Sequence, residues 1–254
     1  MLSKKLDDYD IVCLNEAFHF GSYTVKEFIK SMKSRGFQYI VSSKSVKFIS
    51  KRLIDSGVLI LSKLPITETS DITYESGCSY DDFAAKGSVY AKIQINPNDS
   101  INVFSTHLQA SYGSVTETDY SVRSDQLRAL NEFMVQHQNG NSPMILLGDL
   151  NINSIGEGKE YVHMLDTLKI DNFELIDTLK VSNGEHLSTT SVLNQPGDKE
   201  LMTNESIDYI MLFKHKNDEV IKGFNTTVKK FKIRNFAYPY LSDHFAVEST
   251  IELK

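Results

Sequence analysis

Apolar residues along the chain fall into short runs closed off by turn residues. Seven of these, Ile11 to Leu14, Gly57 to Leu61, Ser88 to Ile95, Ile101 to Ser105, Met144 to Leu147, Ile207 to Leu212 and Phe245 to Ile251, have the length and β-branched content of strands. Three other segments repeat at the helical spacing. Val25 to Lys33 lines up Val25, Phe28, Ile29 and Met32; Arg123 to His137 lines up Leu127, Leu130, Phe133 and Met134; Gly158 to Leu168 carries Tyr161, Met164, Leu165 and Leu168. Strands interleaved with helices, without a strict βαβ alternation, predict an α/β (α+β) fold with mixed sheets and helices outside. The polar stretches Ala110 to Thr118 and Ser182 to Ser206 read as long loops, either functional or merely tolerated.

The chain has 254 residues, about 1.7 times a rough 150-residue domain. No repeat and no Pro- or Gly-rich linker divides it, so a single domain over residues 1–254 is expected. The 41% hydrophobic and 24% charged content excludes a disordered or fibrous chain. A net charge of −6 gives no overall pull toward nucleic acid or anionic lipid. Cys13, inside an apolar run, reads as a buried free thiol, and no segment reaches the roughly 18 apolar residues of a spanning helix. Residues 1–10 lack the apolar core of a signal peptide. As written, the chain reads as cytoplasmic or peripheral to a membrane, and as secreted if a leader has been removed.

Chemistry concentrates where strands end. Asn15-Glu16, Thr106-His107, Gly148-Asp149-Leu150-Asn151, Ile207-Asp208-Tyr209 and Ser242-Asp243-His244 each place polar, metal- or proton-handling side chains directly beside an apolar run. This set suits hydrolysis at phosphorus. Glu16 is a natural ligand for a hard cation such as Mg2+. His244 is the candidate base for an attacking water, with Asp208 holding its tautomer. Asp149 and Asn151, two apart in an extended segment, would share a face: Asn151 orients water or a phosphate oxygen, and Asp149 positions the nucleophile or handles a proton. His107 would donate to developing negative charge. Each piece alone is ordinary, since a strand-ending carboxylate is more often a turn residue or helix cap. The five together, in this order, are not.

Those segments resemble the endonuclease/exonuclease/phosphatase superfamily, which includes DNase I-like nucleases, inositol polyphosphate 5-phosphatases and neutral sphingomyelinases. The resemblance implies a four-layered sandwich of two mixed β-sheets face to face with helices outside, and a divalent metal at one rim. It also places Asp243 with the metal and phosphate contacts. Asn15-Glu16-Ala17-Phe18, the run Gly57 to Ile66 and the segment Gly77 to Tyr90, with Gly77-Cys78 at its start and Lys86-Gly87 near its end, are most similar to the neutral sphingomyelinases. On that likeness Lys86, Asp81 and Phe18 contact substrate. Each also has a plain structural reading: a turn before a strand, a solvated acidic loop, packing under the first loop.

Two departures qualify the likeness. The superfamily's opening strand, ending in an Asn near the metal, has no counterpart in Met1 to Tyr9, so truncation at the N-terminus or a site with one strand fewer is expected. The secreted relatives' partner for the cysteine matching Cys78 is absent between Ala110 and Arg123, which leaves both cysteines unpaired. Aromatics among cations in Phe224 to Tyr240 fit a membrane interface, a nucleic-acid backbone or ordinary amphipathic strands.

The expected protein is therefore a monomeric Mg2+-dependent phosphodiesterase, with Mn2+ or Co2+ as substitutes. Its expected substrate is sphingomyelin, a phospholipid met at a membrane surface, and not nucleic acid. A nuclease, a phosphoinositide phosphatase of the same superfamily and a non-catalytic phosphate- or membrane-binding relative are the alternatives.

Overall fold

The computed structural model describes residues 2–18, 23–43, 56–78, 85–138, 140–190, 205–217, 220–233 and 240–254. After a short 3-10 turn at Leu2–Lys5 come β1 (Ile11–Leu14), α1 (Tyr23–Lys33), β2 (Tyr39–Ser42), β3 (Leu59–Ser62), β4 (Ile66–Thr73), β5 (Gly87–Gln94), β6 (Ser100–His107) and α2 (Glu117–Gln136). The chain continues through β7 (Met144–Asp149), α3 (Lys159–Thr167), β8 (Phe173–Asp177), α4 (Thr178–Asn183), β9 (Asp208–His215), β10 (Ile221–Lys229) and β11 (Ala246–Leu253). All seven apolar runs are strands and all three helical patterns are helices.

The layers follow from the two-residue alternation of side chains along each strand. A six-stranded mixed sheet has the order β4-β5-β6-β7-β9-β8. On one face it presents Tyr90, Phe104, Met144, Leu146, Tyr209, Met211 and Phe213, which pack under Leu127, Leu130, Phe133 and Met134 of α2 and Tyr161 and Met164 of α3. On the other face Val89, Ala91, Ile93, Val103, Ile145, Ile210 and Leu212 meet Ile60 of β3 and Ile221 of β10. The second sheet layer alternates in the same way, so Leu59 and Leu61 of β3 turn outward onto Met32 of α1, Phe37 and Leu6. The result is helix, sheet, sheet, helix, the four-layered α/β sandwich that the resemblance implies.

That second sheet layer is in two parts, β1-β3-β2 and β10-β11. Among the described residues no strand joins β1 to β11. The Tyr9 hydroxyl, which donates to the Glu248 carboxylate of β11, ties the two parts together.

Four strands and one helix have no counterpart in the hydrophobic pattern. β2 and β8 are short, while β4 (Ile-Thr-Glu-Thr-Ser-Asp-Ile-Thr) and β10 are polar and partly exposed. α4 is a six-residue helix capped by the Asp177 side chain. α2 starts six residues before the apolar periodicity, at a capping box in which Thr116 and Asp119 satisfy each other's backbone N–H groups. Beyond the two residues that end α4, the described part of the segment 182–206 is irregular. Cys13 and Cys78 are free. No described helix is long and apolar enough to cross a membrane. In the aromatic segment Phe231 packs against the cluster around Leu6, and Tyr240 stacks edge-on against Phe245. Phe236 and Tyr238 lie outside the described residues.

Gly148 is the tightest backbone contact of the large sheet. It sits at φ +144, and a Cβ there would stand 2.0 Å from the Thr106 carbonyl oxygen of β6. Gly148→Ala is expected to cost more than about 3 kcal/mol, from strain and a displaced strand pair together, whereas Gly113→Ala, with φ +100 but open space around it, should cost about 1 kcal/mol. Urea unfolding of the two variants measures the difference.

Candidate active site

The site is the last step of the strand alternation. β6 and β7 run parallel with His107 opposite Asp149. β9 runs antiparallel to β7 with Asp208 opposite Asp149, and β5 places Gly87 opposite His107. Gly87, His107, Asp149 and Asp208 thus form one row across four adjacent strands, about 4.8 Å apart per strand. His107 and Asp149 follow Val103 and Ile145, and Asp208 precedes Ile210, each pair in the same parity. Their side chains therefore emerge at the rim between the two sheets, as a polar continuation of the inter-sheet core.

His244 comes from outside the large sheet. It precedes β11 and is held by a bridge to Thr190. Thr189 fixes both partners: its hydroxyl accepts from the N–H groups of Ile207 and Asp208 at 3.1 and 3.2 Å, and its carbonyl accepts from Phe245 N–H at 2.6 Å. As a result His244 Nδ1 lies 2.9 Å from Asp208 Oδ2 and 3.9 Å from Asp149 Oδ2.

Asp149 is held on three sides. Its Oδ1 accepts from Asn151 N–H at 2.8 Å, and Asn151, at φ +53, donates its side-chain amide to Leu108 O at 3.0 Å. Leu108 N–H donates to Asp149 O. The Asn15 amide, with its oxygen turned toward β7, accepts from Asp149 N–H at 2.7 Å and donates to Thr106 O at 3.3 Å. Asn15 is thus the strut by which β1 of the second layer reaches the site.

Glu16, next to it, is exposed at φ +58 and turns against Gly57, whose carbonyl accepts from Ala17 N–H. The Phe18 ring also leans on Gly57, leaving room there for no larger residue. Lys86, 6% exposed, directs its ammonium onto His107 Nε2 at 2.8 Å. Asp243 is exposed and accepts from the Ser242 hydroxyl. Asp81 lies outside the described residues.

Electrostatics separate the roles. Burial, and then the neighbouring Asp208 charge, push the Asp149 carboxyl up to about 7, against the opposing pull of His244 and Lys86. Burial alone would lower His244, but the hydrogen bond and charge of Asp208, with Asp149 and Asp243, raise it to about 9. His107 goes the other way, well below its ordinary value, because it is buried beside the Lys86 and His244 cations.

A buried Asp149 carboxyl whose ionisation is resisted by burial and by the Asp208 charge marks a place short of positive charge. The oxygens of Asp149 and Asp208 and one His244 nitrogen lie within 4.8 Å of one another, the only such three-ligand group among the described residues. This donor set fits a hard divalent cation. Glu16 and Asp243, the ligands expected from sequence, stand outside that cluster, Glu16 at the adjoining turn and Asp243 one residue from His244.

The sequence marks Asn15 only as the neighbour of Glu16 and gives no sign of Thr189; the importance of both lies in what they brace. Sequence reading also missed Arg123, fully buried, which pairs bidentately with Glu160 at 2.6 and 3.0 Å and donates to Gln109 O and Ser111 Oγ, fastening the loop after β6 to α2 and α3. The placement of Arg123 at the start of a helical pattern was the one available signal.

The sandwich and its rim of two imidazoles and two aspartates define a class of hydrolases. The family model described as "Endonuclease/Exonuclease/phosphatase family" matches residues 1–244, and the chain belongs to this family. Among its relatives, a sphingomyelinase of Dictyostelium discoideum is 28% identical over 98% of this chain and 72% of its own length. A sphingomyelinase C of Bacillus cereus is 30% identical over 79% of this chain, an alignment that spans 62% of that relative. The fold also matches beta toxin of Staphylococcus aureus solved with bound magnesium ions, at TM-score 0.74 and 23% identity, covering 98% of this chain and 89% of the other.

A carboxyl whose folded pKa of about 7 exceeds its ordinary 3.8 favours the folded state most below the lower value and loses that contribution as pH rises through 7. In buffer containing chelator, Asp149→Asn should therefore raise Tm at pH 8, and the gain should vanish near pH 4. Calorimetric scans at the two pH values read the sign.

Proposed function

We propose that this chain is a divalent-metal-dependent phosphodiesterase that hydrolyses sphingomyelin to ceramide and phosphocholine. The observation that carries the reading is the Asp208–His244 pair, at 2.9 Å, beside a buried Asp149 with a raised pKa, in a chain homologous to sphingomyelinases. Asp208 holds His244 Nδ1, which leaves Nε2 to take a proton from a water attacking phosphorus in line. Asp149 positions the attacking water, and the proton taken up by His244 is passed on to the departing ceramide oxygen, so proton gain and loss balance within the site. Asn151 orients a phosphoryl oxygen or the water. His107 and the Lys86 cation behind it border the same position.

Glu16, with Asp243 and the Asp149–Asp208 oxygens nearby, would hold the cation, with Mg2+ as the favoured ion. Bound there, it supplies charge neutralisation on the phosphoryl group. Phe18, against Gly57, is assigned to the lipid headgroup entry, and Asp81 to substrate contact. The substrate is met at a membrane surface, and the monomer is the working unit.

The deciding experiment is a panel of sphingomyelin, lysophospholipid, phosphoinositide and plasmid DNA, each with Mg2+ and with chelator. Hydrolysis of sphingomyelin that stops with chelator is expected. Cleavage of DNA alone would overturn the lipid reading, and inertness toward all four would favour a binding protein. His244→Ala should reduce turnover at least about 1,000-fold while circular dichroism stays unchanged. Because only neutral His244 accepts a proton and its pKa is raised to about 9, kcat/KM should climb from pH 6 toward alkaline pH, with a bound dication moving the midpoint downward. A rate flat across that range would remove His244 from the base role.

A further inference from the structure

Lys86 and His107 form a buried pair, 6% and 3% exposed, brought together because Gly87 is the register partner of His107. The Lys86 ammonium lies 2.8 Å from His107 Nε2. An ammonium has three donors and no acceptor, so the ring nitrogen facing it must offer a lone pair. Nε2 is then the acceptor, and the ring proton of the neutral imidazole sits on Nδ1. His107 Nδ1 is itself buried and has no hydrogen-bond partner among the described residues. Asp149 Oδ2 lies 3.6 Å from the same Nε2, a nitrogen that in this tautomer has no hydrogen to give it.

Left to itself, a neutral imidazole beside a carboxylate carries its proton on the nitrogen nearest that oxygen. Such an Nε2–H tautomer would also avoid an orphaned buried donor at Nδ1, which is costlier to leave unmet than an acceptor. The arrangement in place is the less favourable one for the ring alone, and Lys86 is the group that selects it.

We propose that Lys86 is a positioning residue that fixes His107 as the Nδ1–H tautomer and so keeps it from donating to Asp149. Asp149 Oδ2 is thereby reserved for the approach of His244, 3.9 Å away. Only the effect on turnover rests on the phosphodiesterase reading; the tautomer exists with or without a substrate.

The test is a two-bond 1H–15N correlation spectrum of the histidine rings in the full chain, with His107 assigned through His107→Gln. The Nδ1–H pattern is expected in the wild type and in Lys86→Arg, which keeps a donor, and the Nε2–H pattern in Lys86→Met. An Nε2–H pattern in the wild type overturns the proposal, and this reading needs no Lys86 variant to fold. An Nδ1–H pattern that survives in Lys86→Met overturns the part given to Lys86. On sphingomyelin vesicles with Mg2+, Lys86→Met should lower kcat about 10- to 100-fold with KM within about twofold. A fall in kcat with the tautomer unchanged would count against positioning. A wild type inert toward lipid but showing the Nδ1–H ring would sink the substrate reading and leave this one standing.

Discussion

The parallel pairing of β6 with β7 sets the register on which the site depends, from Asn102 opposite Met144 to His107 opposite Asp149. A slip of one residue would turn His107 and Asp149 to the other face of the sheet, into the cluster built around Phe104 and Leu146. Ionisable groups would then be buried among aromatics, and core residues would face the rim. Gly148 allows the pairing to close, since the Thr106 carbonyl occupies the space of any side chain there. β9 then needs only to follow β7 antiparallel for Asp208 to arrive in line.

Around that row the protein balances charge rather than simply accumulating it. Asp149 is pressed toward its neutral form by burial and Asp208, while Lys86 and His244 resist that shift. The two imidazoles are pushed in opposite directions by their surroundings, His244 by a hydrogen-bonded carboxylate and His107 by burial beside cations. Two histidines of the same intrinsic basicity are thereby shifted apart, one toward its charged form and the other toward its neutral form. Asn15 braces Asp149, Thr189 braces Asp208 and the backbone beside His244, and Arg123 fastens the loop after β6 to the helices. A site braced in this way loses little conformational freedom when it engages a ligand.

The sequence was most legible where burial is strongest. The runs that became β5, β6, β7 and β9 are apolar on both faces because helices cover one side and a sheet the other. β4 and β10 escaped notice for the opposite reason: with polar, partly exposed side chains, they owe their strand form to a neighbour's backbone and not to their own hydrophobicity. α2 began earlier than its apolar stripe because a capping box, not burial, sets its first turn. The residues of the row could be nominated from strand ends, since a polar group directly after an apolar run must surface at a rim. Thr189 could not, because a threonine in a polar stretch carries no mark of what its hydroxyl will meet.

By itself, then, the sequence determined the layers, the rim and the kinds of side chain gathered there, because alternation of apolar and polar positions dictates which face of a strand is buried and where the burial ends. Only the tertiary structure decided how those side chains are paired: Asp208 with His244, Lys86 with His107, Asn15 with the backbone of Asp149. Each pairing joins residues from different strands or different sheets, 21 to 134 positions apart in the chain. The upward shifts of Asp149 and His244 and the downward shift of His107 follow from distances and burial that no local pattern encodes, and for that reason two histidines with the same intrinsic chemistry end in opposite electrostatic settings.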